Sequence, residues 1–115
     1  MNRHLAQKIC SKSGMLVEEE VLKRIARNFR LSEHARMRLN ERGSDVVVSE
    51  IVLHPFLAYY NTDGTMNIAK DRYNYLVVAE KEDGTFVVIT YKEKSYNNND
   101  ILYKRQLALR GYGRK

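Results

Sequence analysis

Residues 56–92 read FLAYYNTDGTMNIAKDRYNYLVVAEKEDGTFVVITYK, and this stretch decides the fold. Apolar and polar residues tend to alternate along it, and β-branched and aromatic residues are frequent, which is typical of half-buried strands. Asp-Gly pairs at 63–64 and 83–84 interrupt the alternation, and Asp-Gly between such runs is a strong signal of a β-hairpin. The stretch therefore predicts a four-stranded antiparallel meander, with strands at 56–61, 65–72, 75–80 and 85–92.

Helical patterns lie on both sides of this meander. Apolar residues recur at helical spacing before it, and Ser32 and Gly43 are favourable residues for the start and the end of a helix. The sequence predicts four helices, at 15–30, at 32–43, from 45 or 49 to 53, and at 100–110. We therefore expect an α+β fold, in which N-terminal helices pack on the four-stranded antiparallel meander and a C-terminal helix is added.

The distribution of charge along the chain points to an anionic partner. The 115 residues have a formal net charge of +6. Residues 1–30 contain seven basic residues (Lys and Arg) and three acidic ones, and residues 91–115 contain seven basic and two acidic residues. The segment between them contains six basic and nine acidic residues. Basic terminal segments on either side of an acidic middle segment are compatible with an anion-binding surface on one side of the protein. They are equally compatible with basic termini that are simply solvated, and charge alone does not distinguish these two interpretations.

Chain length indicates one domain. We expect a basic flexible arm at 1–14, a single α+β domain at 15–110 and a basic tail at 111–115.

Several functional classes are excluded by residue type. Cys10 is the only cysteine, so we expect neither an intrachain disulfide nor a thiolate zinc site, as suits a reducing cytosol. No apolar run approaches the roughly 20 residues that span a bilayer. The expectation is a cytoplasmic protein that uses no metal, no cofactor and no membrane.

Residues 32–43, SEHARMRLNERG, contain the side chains with the most evident chemistry. His34, Arg38 and Arg42 are spaced i, i+4 and i+8, so a helix places them on one face with roughly 5–6 Å between successive Cβ atoms. An imidazole can accept or donate a proton near neutral pH, and a guanidinium group can donate two parallel hydrogen bonds to the oxygens of one phosphate. The pattern therefore favours a site for a phosphodiester, although a solvated helix surface would have the same spacing.

Outward residues of the strands extend this predicted site. Thr90 and Lys92 are two residues apart, so they share one face of the last strand, and we expect that face to meet the helix. Lys70 and Arg72 share a face of the second strand in the same way. RNA cleavage without a metal needs a base for the 2′-hydroxyl, an acid for the leaving 5′-oxygen and cationic groups around the phosphorane.

The pattern Ser-x-His-Ala-x-x-Arg-x-x-x-Arg-Gly, with a short helix and a meander ending in Thr-Tyr, resembles a small bacterial and phage family. That family is a domain of unknown function grouped with the BECR superfamily of ribonuclease toxins, which includes barnase, EndoU, colicin-type tRNases and RelE. The resemblance covers about residues 32–92. This chain departs from the family pattern in having an extra Arg36, and in having Ser44 where an apolar residue is usual.

The resemblance implies a BECR-like domain that acts as a metal-independent endoribonuclease of toxin type. The product would be a 2′,3′-cyclic phosphate, and the partners would be RNA and an antitoxin or immunity protein. The catalytic residues that it implies are His34, Arg38, Arg42 and Thr90.

Further basic residues are predicted to hold the RNA by phosphate contacts. These residues are Lys70, Arg72, Lys92, Lys104, Arg105 and Arg110. Two other functions stay open: a nucleic-acid-binding protein without catalysis, and a small phage or mobile-element inhibitor of a host nucleic-acid machine. The oligomeric state is not predicted by the sequence.

Overall fold

The computed structural model describes residues 11–39 and 44–92, together with residues 105 and 109. The described part is an α+β fold, which confirms the expected class. Its elements in chain order are α1 (Glu19–Arg27), β1 (Phe29–Leu31), α2 (Glu33–Leu39), α3 (Ser44–Leu53), β2 (Leu57–Tyr60), β3 (Met66–Ala69), β4 (Tyr75–Glu80) and β5 (Phe86–Lys92).

The sheet is five-stranded and mixed, with the order β1-β5-β4-β3-β2. Strands β2 to β5 form the antiparallel meander, and β1 pairs in parallel with β5, with Phe29 opposite Phe86 and Leu31 opposite Val88. The prediction of a purely antiparallel four-stranded sheet was therefore wrong. Phe29 continues the apolar spacing of α1, but the chain leaves the helix at Asn28, whose carbonyl oxygen accepts a hydrogen bond of 3.1 Å from the Phe86 amide.

The two Asp-Gly turns of the meander, between β2 and β3 and between β4 and β5, are built in the same way. The Oδ1 atom of Asp63 accepts hydrogen bonds from the Thr65 amide at 3.0 Å and the Thr65 hydroxyl at 2.7 Å. Asp83 and Thr85 repeat this arrangement with the same distances. The glycine between each pair has a φ near +90°, a conformation that glycine adopts without steric cost. Both hairpins were predicted correctly.

Helices cover one face of the sheet and form the main core with it. Leu22 and Ile25 of α1 are buried in this core, together with Ala35 and Leu39 of α2. The other residues of the main core include Val48, Ile51 and Val52 from α3, and Leu76, Val78, Phe86, Val88 and Tyr91 from the sheet. Burial of these apolar side chains is the dominant favourable contribution to folding.

The opposite face of the sheet has a second, smaller cluster. Leu57, Tyr59, Ala69 and Tyr75 are buried there, and Val77 packs against them. Asn67 is a buried polar residue on this face, and its Nδ2 group donates a hydrogen bond of 2.8 Å to the Tyr59 hydroxyl. This bond matters because a buried amide without a partner would destabilise the fold.

The chain before α1 runs along β2. The Gly14 amide donates to the Tyr60 carbonyl oxygen at 2.8 Å, and the Val17 amide donates to the Ala58 carbonyl oxygen at 3.0 Å. Residues 11–14, which belong to the arm predicted at 1–14, form a turn against the sheet, and Lys12 Nζ lies 5.3 Å from the centre of the Tyr60 ring.

Three regions of the prediction fall wholly or mostly outside the described residues. Residues 1–10 of the predicted arm and the tail at 111–115 are among them. Of the helix predicted at 100–110, the structure describes only Arg105 and Leu109, and both are helical. Within the described residues, no helix has the length and the apolar character needed to cross a bilayer.

Candidate functional site

Helix α2 is attached to the sheet at its first turn by Ser32. The Ser32 amide donates a hydrogen bond of 2.9 Å to the Val88 carbonyl oxygen, and the Ser32 hydroxyl donates one of 2.6 Å to the Ile89 carbonyl oxygen. The same hydroxyl oxygen accepts a hydrogen bond of 3.0 Å from the Ala35 amide, which makes Ser32 the N-cap of α2. The orientation of α2 is therefore fixed relative to β5.

Two faces of α2 are set by its burial pattern. Ala35 and Leu39 are fully buried against the main core. The side of α2 that faces the core is therefore known, and with it the position of each other residue around the helix. His34 and Arg38 are both exposed and one turn apart, which places them next to each other on one flank of α2. Arg36 is also exposed, but its position around the helix places it on the other flank. We call His34 and Arg38 the α2 flank.

Thr90 and Lys92 lie across the sheet from this flank. Tyr91 is buried in the main core with Ala35 and Leu39, and Thr90 pairs with Val77, which packs in the second cluster. The expectation that Thr90 and Lys92 would meet α2 was therefore wrong. The reason is a β-bulge: Ile89 is an extra residue between the pairs Val78–Val88 and Val77–Thr90, and it shifts the alternation of β5.

Lys70 and Arg72 belong to the turn between β3 and β4. Strand β3 ends at Ala69, so these two side chains do not share a strand face as predicted. Asp71 organises the turn, because its Oδ1 atom accepts hydrogen bonds from the amides of Tyr73 at 2.8 Å and Asn74 at 2.9 Å. Local hydrogen bonds of this type compete with strand formation.

The structure nevertheless brings together three of the predicted RNA-binding residues. Lys92 pairs with Tyr75, the first residue after the β3–β4 turn, so Lys70, Arg72 and Lys92 lie at the same end of the sheet. Arg72 Cζ lies 5.3 Å from the centre of the Tyr73 ring, and Tyr73 is 43% exposed. We call Lys70, Arg72 and Lys92 the basic end.

Most carboxylates of the sheet and its turns lie at the other end, here called the acidic end. Four carboxylates lie at its two hairpin turns or next to them: Asp63, Glu80, Glu82 and Asp83. Glu80 forms a salt bridge of 3.2 Å with Arg24 of α1, Arg30 of β1 attracts Asp83, and Lys81 is in the turn between β4 and β5. At the basic end Asp71 is the one carboxylate of the turn beside the three cations, so the excess of positive charge there favours it as the place for a polyanion.

A cleft of about 160 Å³ lies between α3 and the β3–β4 turn. Sequence reasoning did not identify it. It is lined by Val47, Glu50, Ile51, His54 and Lys70. The first four residues have the spacing i, i+3, i+4 and i+7, so they lie on one side of α3. This spacing is the sequence pattern from which the cleft could have been predicted. We call these five residues the α3 cleft.

Three of the predicted residues are not placed by the described part of the chain. Arg42, Lys104 and Arg110 fall outside it. Arg105 is within it, and it is helical and exposed.

Comparisons of the chain with models of known families, with curated proteins and with solved structures found no match. The chemistry of the site is therefore inferred from its own residues. On the α2 flank an imidazole stands next to a guanidinium in open solvent, and this pair can bind a phosphate and accept a proton from a neighbouring hydroxyl.

Proposed function

We propose that this protein is an endoribonuclease that needs no metal ion and acts through the α2 flank. The observation that carries the proposal is the exposed pair of His34 and Arg38, one turn apart on a helix that Ser32 fixes to β5. A rigid helix is a better support for a catalytic pair than a loop, because it holds the two groups in one geometry. The resemblance of residues 32–92 to a family of ribonuclease toxins supports the same function.

The proposed reaction is a transesterification at phosphorus. The imidazole of His34 accepts the proton of the ribose 2′-hydroxyl, and the 2′-oxygen forms a bond to phosphorus. The bond from phosphorus to the 5′-oxygen breaks, and water at this exposed surface supplies the proton to the leaving oxygen. Arg38 donates hydrogen bonds to the non-bridging oxygens, whose negative charge is greatest in the phosphorane. The products are a 2′,3′-cyclic phosphate and a 5′-hydroxyl.

The basic end would hold the rest of the RNA. Lys70 and Lys92 are exposed, and Tyr73 is exposed beside Arg72, so phosphates and an unpaired base can both be contacted there. Contacts of this kind are independent of sequence and weaken as salt is added.

A second function is favoured by one specific observation. Thr90, which the resemblance implies as catalytic, lies across the sheet from His34, so the implied catalytic set is not assembled on one surface. A protein that keeps the basic surface and binds RNA without cutting it would tolerate this separation. We therefore retain non-catalytic nucleic-acid binding as the alternative.

One experiment separates the two functions. End-labelled RNA is incubated with the protein in EDTA beside the same RNA with a 2′-deoxyribose at every position. The ribonuclease cuts the first and leaves the second intact, because the attacking hydroxyl is missing. If both stay intact while a gel shows a salt-sensitive complex, the protein is the RNA-binding alternative.

A further inference from the structure

We propose that the protein forms a symmetric dimer, in which residues 14–17 of one copy pair with the same residues of a second copy. These residues run along β2 and form the border of the sheet on that side, and we call them the N-terminal edge. The inference does not depend on the proposed function, because it uses neither the α2 flank nor the basic end.

The backbone of Leu16 turns its hydrogen-bonding groups away from β2. Leu16 lies opposite Tyr59 in an antiparallel bridge, but the bonds to β2 are made by the residues on either side of it. The carbonyl oxygen of Met15 accepts the Tyr60 amide at 2.9 Å, and Val17 donates its amide to β2. Leu16 and Tyr59 are therefore a non-hydrogen-bonded pair, and the N–H and C=O groups of Leu16 point outward. In the described part of the chain, no group bonds to them.

The N-terminal edge also exposes two large apolar side chains. Met15 is 58% exposed and Leu16 is 61% exposed. A hydrophobic edge of this kind is a site where another strand pairs, and proteins commonly protect a free edge with charged side chains. The opposite border of the sheet has such protection, because the exposed residue of β1 is Arg30. The N-terminal edge has apolar residues in the corresponding place.

Antiparallel pairing about a two-fold axis at Leu16 satisfies all of these groups together. Leu16 then faces Leu16 of the second copy as a hydrogen-bonded pair, in which each residue donates one N–H···O=C bond and accepts one. The two leucine side chains pack side by side on one face of the sheet. On the other face, Met15 of each copy lies opposite Val17 of the second copy, in a pair whose side chains are closer still.

The charges on either side of the N-terminal edge favour the antiparallel direction. Lys12 precedes the edge, Glu18 and Glu20 follow it, and all three side chains are exposed. Antiparallel pairing brings the lysine of each copy beside the glutamates of the other, whereas parallel pairing would bring like charges together. The edge is thus complementary to itself, and for this reason the proposed partner is a second copy of the chain.

Disulfide cross-linking of the full chain tests the register. In a Cys10→Ser background, Leu16→Cys should form a covalent dimer under mild oxidation, because the two Cα atoms of a hydrogen-bonded pair are about 5.5 Å apart, within the range of a disulfide. Met15→Cys is the matched control. It is similarly exposed, but its two copies are diagonal neighbours at about 7–8 Å, so it should form little covalent dimer.

Sedimentation velocity at increasing protein concentration measures the dimer itself, which should be weak because the edge is short. Leu16→Pro removes an N–H group that β2 does not use, so the sheet should persist while the dissociation constant rises at least about tenfold. Leu16→Lys, which places two ammonium groups side by side at the axis, should have a similar effect. Leu53→Lys, at an exposed leucine of α3, is the matched control and should have none.

Three results would overturn the proposal. The first is a wild-type chain that stays monomeric up to about 1 mM, and the second is cross-linking of Met15→Cys as efficient as that of Leu16→Cys. The third is a dimer that neither Leu16 variant weakens, since its interface would then lie elsewhere on the protein.

Discussion

The hydroxyl group of Ser32 donates a 2.6 Å hydrogen bond to the carbonyl oxygen of Ile89, at the bulge of β5. Its oxygen accepts the amide of Ala35 at the same time. One side chain thus caps α2 and joins it to the strand on which α2 packs. The direction in which His34 and Arg38 point depends on this bond, because they follow Ser32 within the first two turns.

Removing this hydroxyl should destabilise the protein and disturb the α2 flank. We expect Ser32→Ala to lower the free energy of unfolding by about 1–2 kcal/mol, since it removes an N-cap and leaves the Ala35 amide without its partner. Urea denaturation measures the change, and Ser32→Thr, which keeps a hydroxyl, should lose less. If the Ala and Thr variants are both as stable as the wild type, the bond to Ile89 does not fix the helix.

The turn between β4 and β5 should depend on the backbone conformation of Gly84. Its φ is +90°, and a Cβ added there would meet no atom within 4 Å, so any cost of substitution comes from the backbone alone. We expect Gly84→Ala to cost about 1–2 kcal/mol in thermal or urea unfolding, and Gly84→Asn to cost less, because asparagine tolerates positive φ. If Gly84→Ala is as stable as the wild type, the turn does not require a positive φ at this position.

Acid should destabilise the protein partly through the two turn aspartates. Hydrogen bonds from Thr65 and Thr85 hold the pKa of Asp63 and of Asp83 below the ordinary value of 3.8. A carboxyl whose pKa is lower in the folded state contributes stability above its unfolded pKa, and this is lost as the pH falls through the folded pKa.

The measurement is the free energy of unfolding in urea between pH 7 and pH 2. The double variant Asp63→Asn, Asp83→Asn keeps side-chain acceptors but cannot ionise, so its stability should fall less steeply below about pH 4. An identical acid profile for wild type and variant would show that these hydrogen bonds do not favour the ionised carboxylates.

RNA affinity should respond to the basic end and not to the acidic end. Lys92→Ala removes one cation that contacts phosphate in the proposed complex, so the slope of log K against log salt concentration should fall by about 0.7. Lys81→Ala removes the same charge from the other end and should leave that slope unchanged. Fluorescence anisotropy with a short single-stranded RNA, measured in the His34→Ala background to prevent cleavage, gives both slopes. If Lys92→Ala and Lys81→Ala reduce the slope equally, the RNA is attracted only by the net charge of the protein and not by the basic end.

Much of the fold follows from local sequence signals. The Asp-Gly turns and the alternation around them are local, and they predicted the meander correctly. Strand β1 has only three residues, and its partner Phe86 is far along the chain, so no local pattern marks its parallel pairing. The spacing of Phe29 continued that of the preceding helix and gave the wrong assignment.

The candidate site was predicted less completely, for a physical reason. The pair of His34 and Arg38 follows from helical spacing alone, which is a local property. The position of Thr90 depends on one extra residue, Ile89, in the register of β5, and a shift of one residue moves a side chain to the other face of a sheet. The α3 cleft requires the contact between residues 54–56 and 69–70, which only the folded chain shows.

The central claim is that the α2 flank cuts RNA, and the single-turnover cleavage rate of His34→Ala in EDTA tests it most directly. Arg36→Ala is the matched control, because Arg36 is exposed on the other flank of the same helix. We predict that His34→Ala lowers the rate by at least about 100-fold, as expected for loss of a general base, and that Arg36→Ala lowers it less than about threefold. A His34→Ala protein that cuts as fast as the wild type would contradict the account.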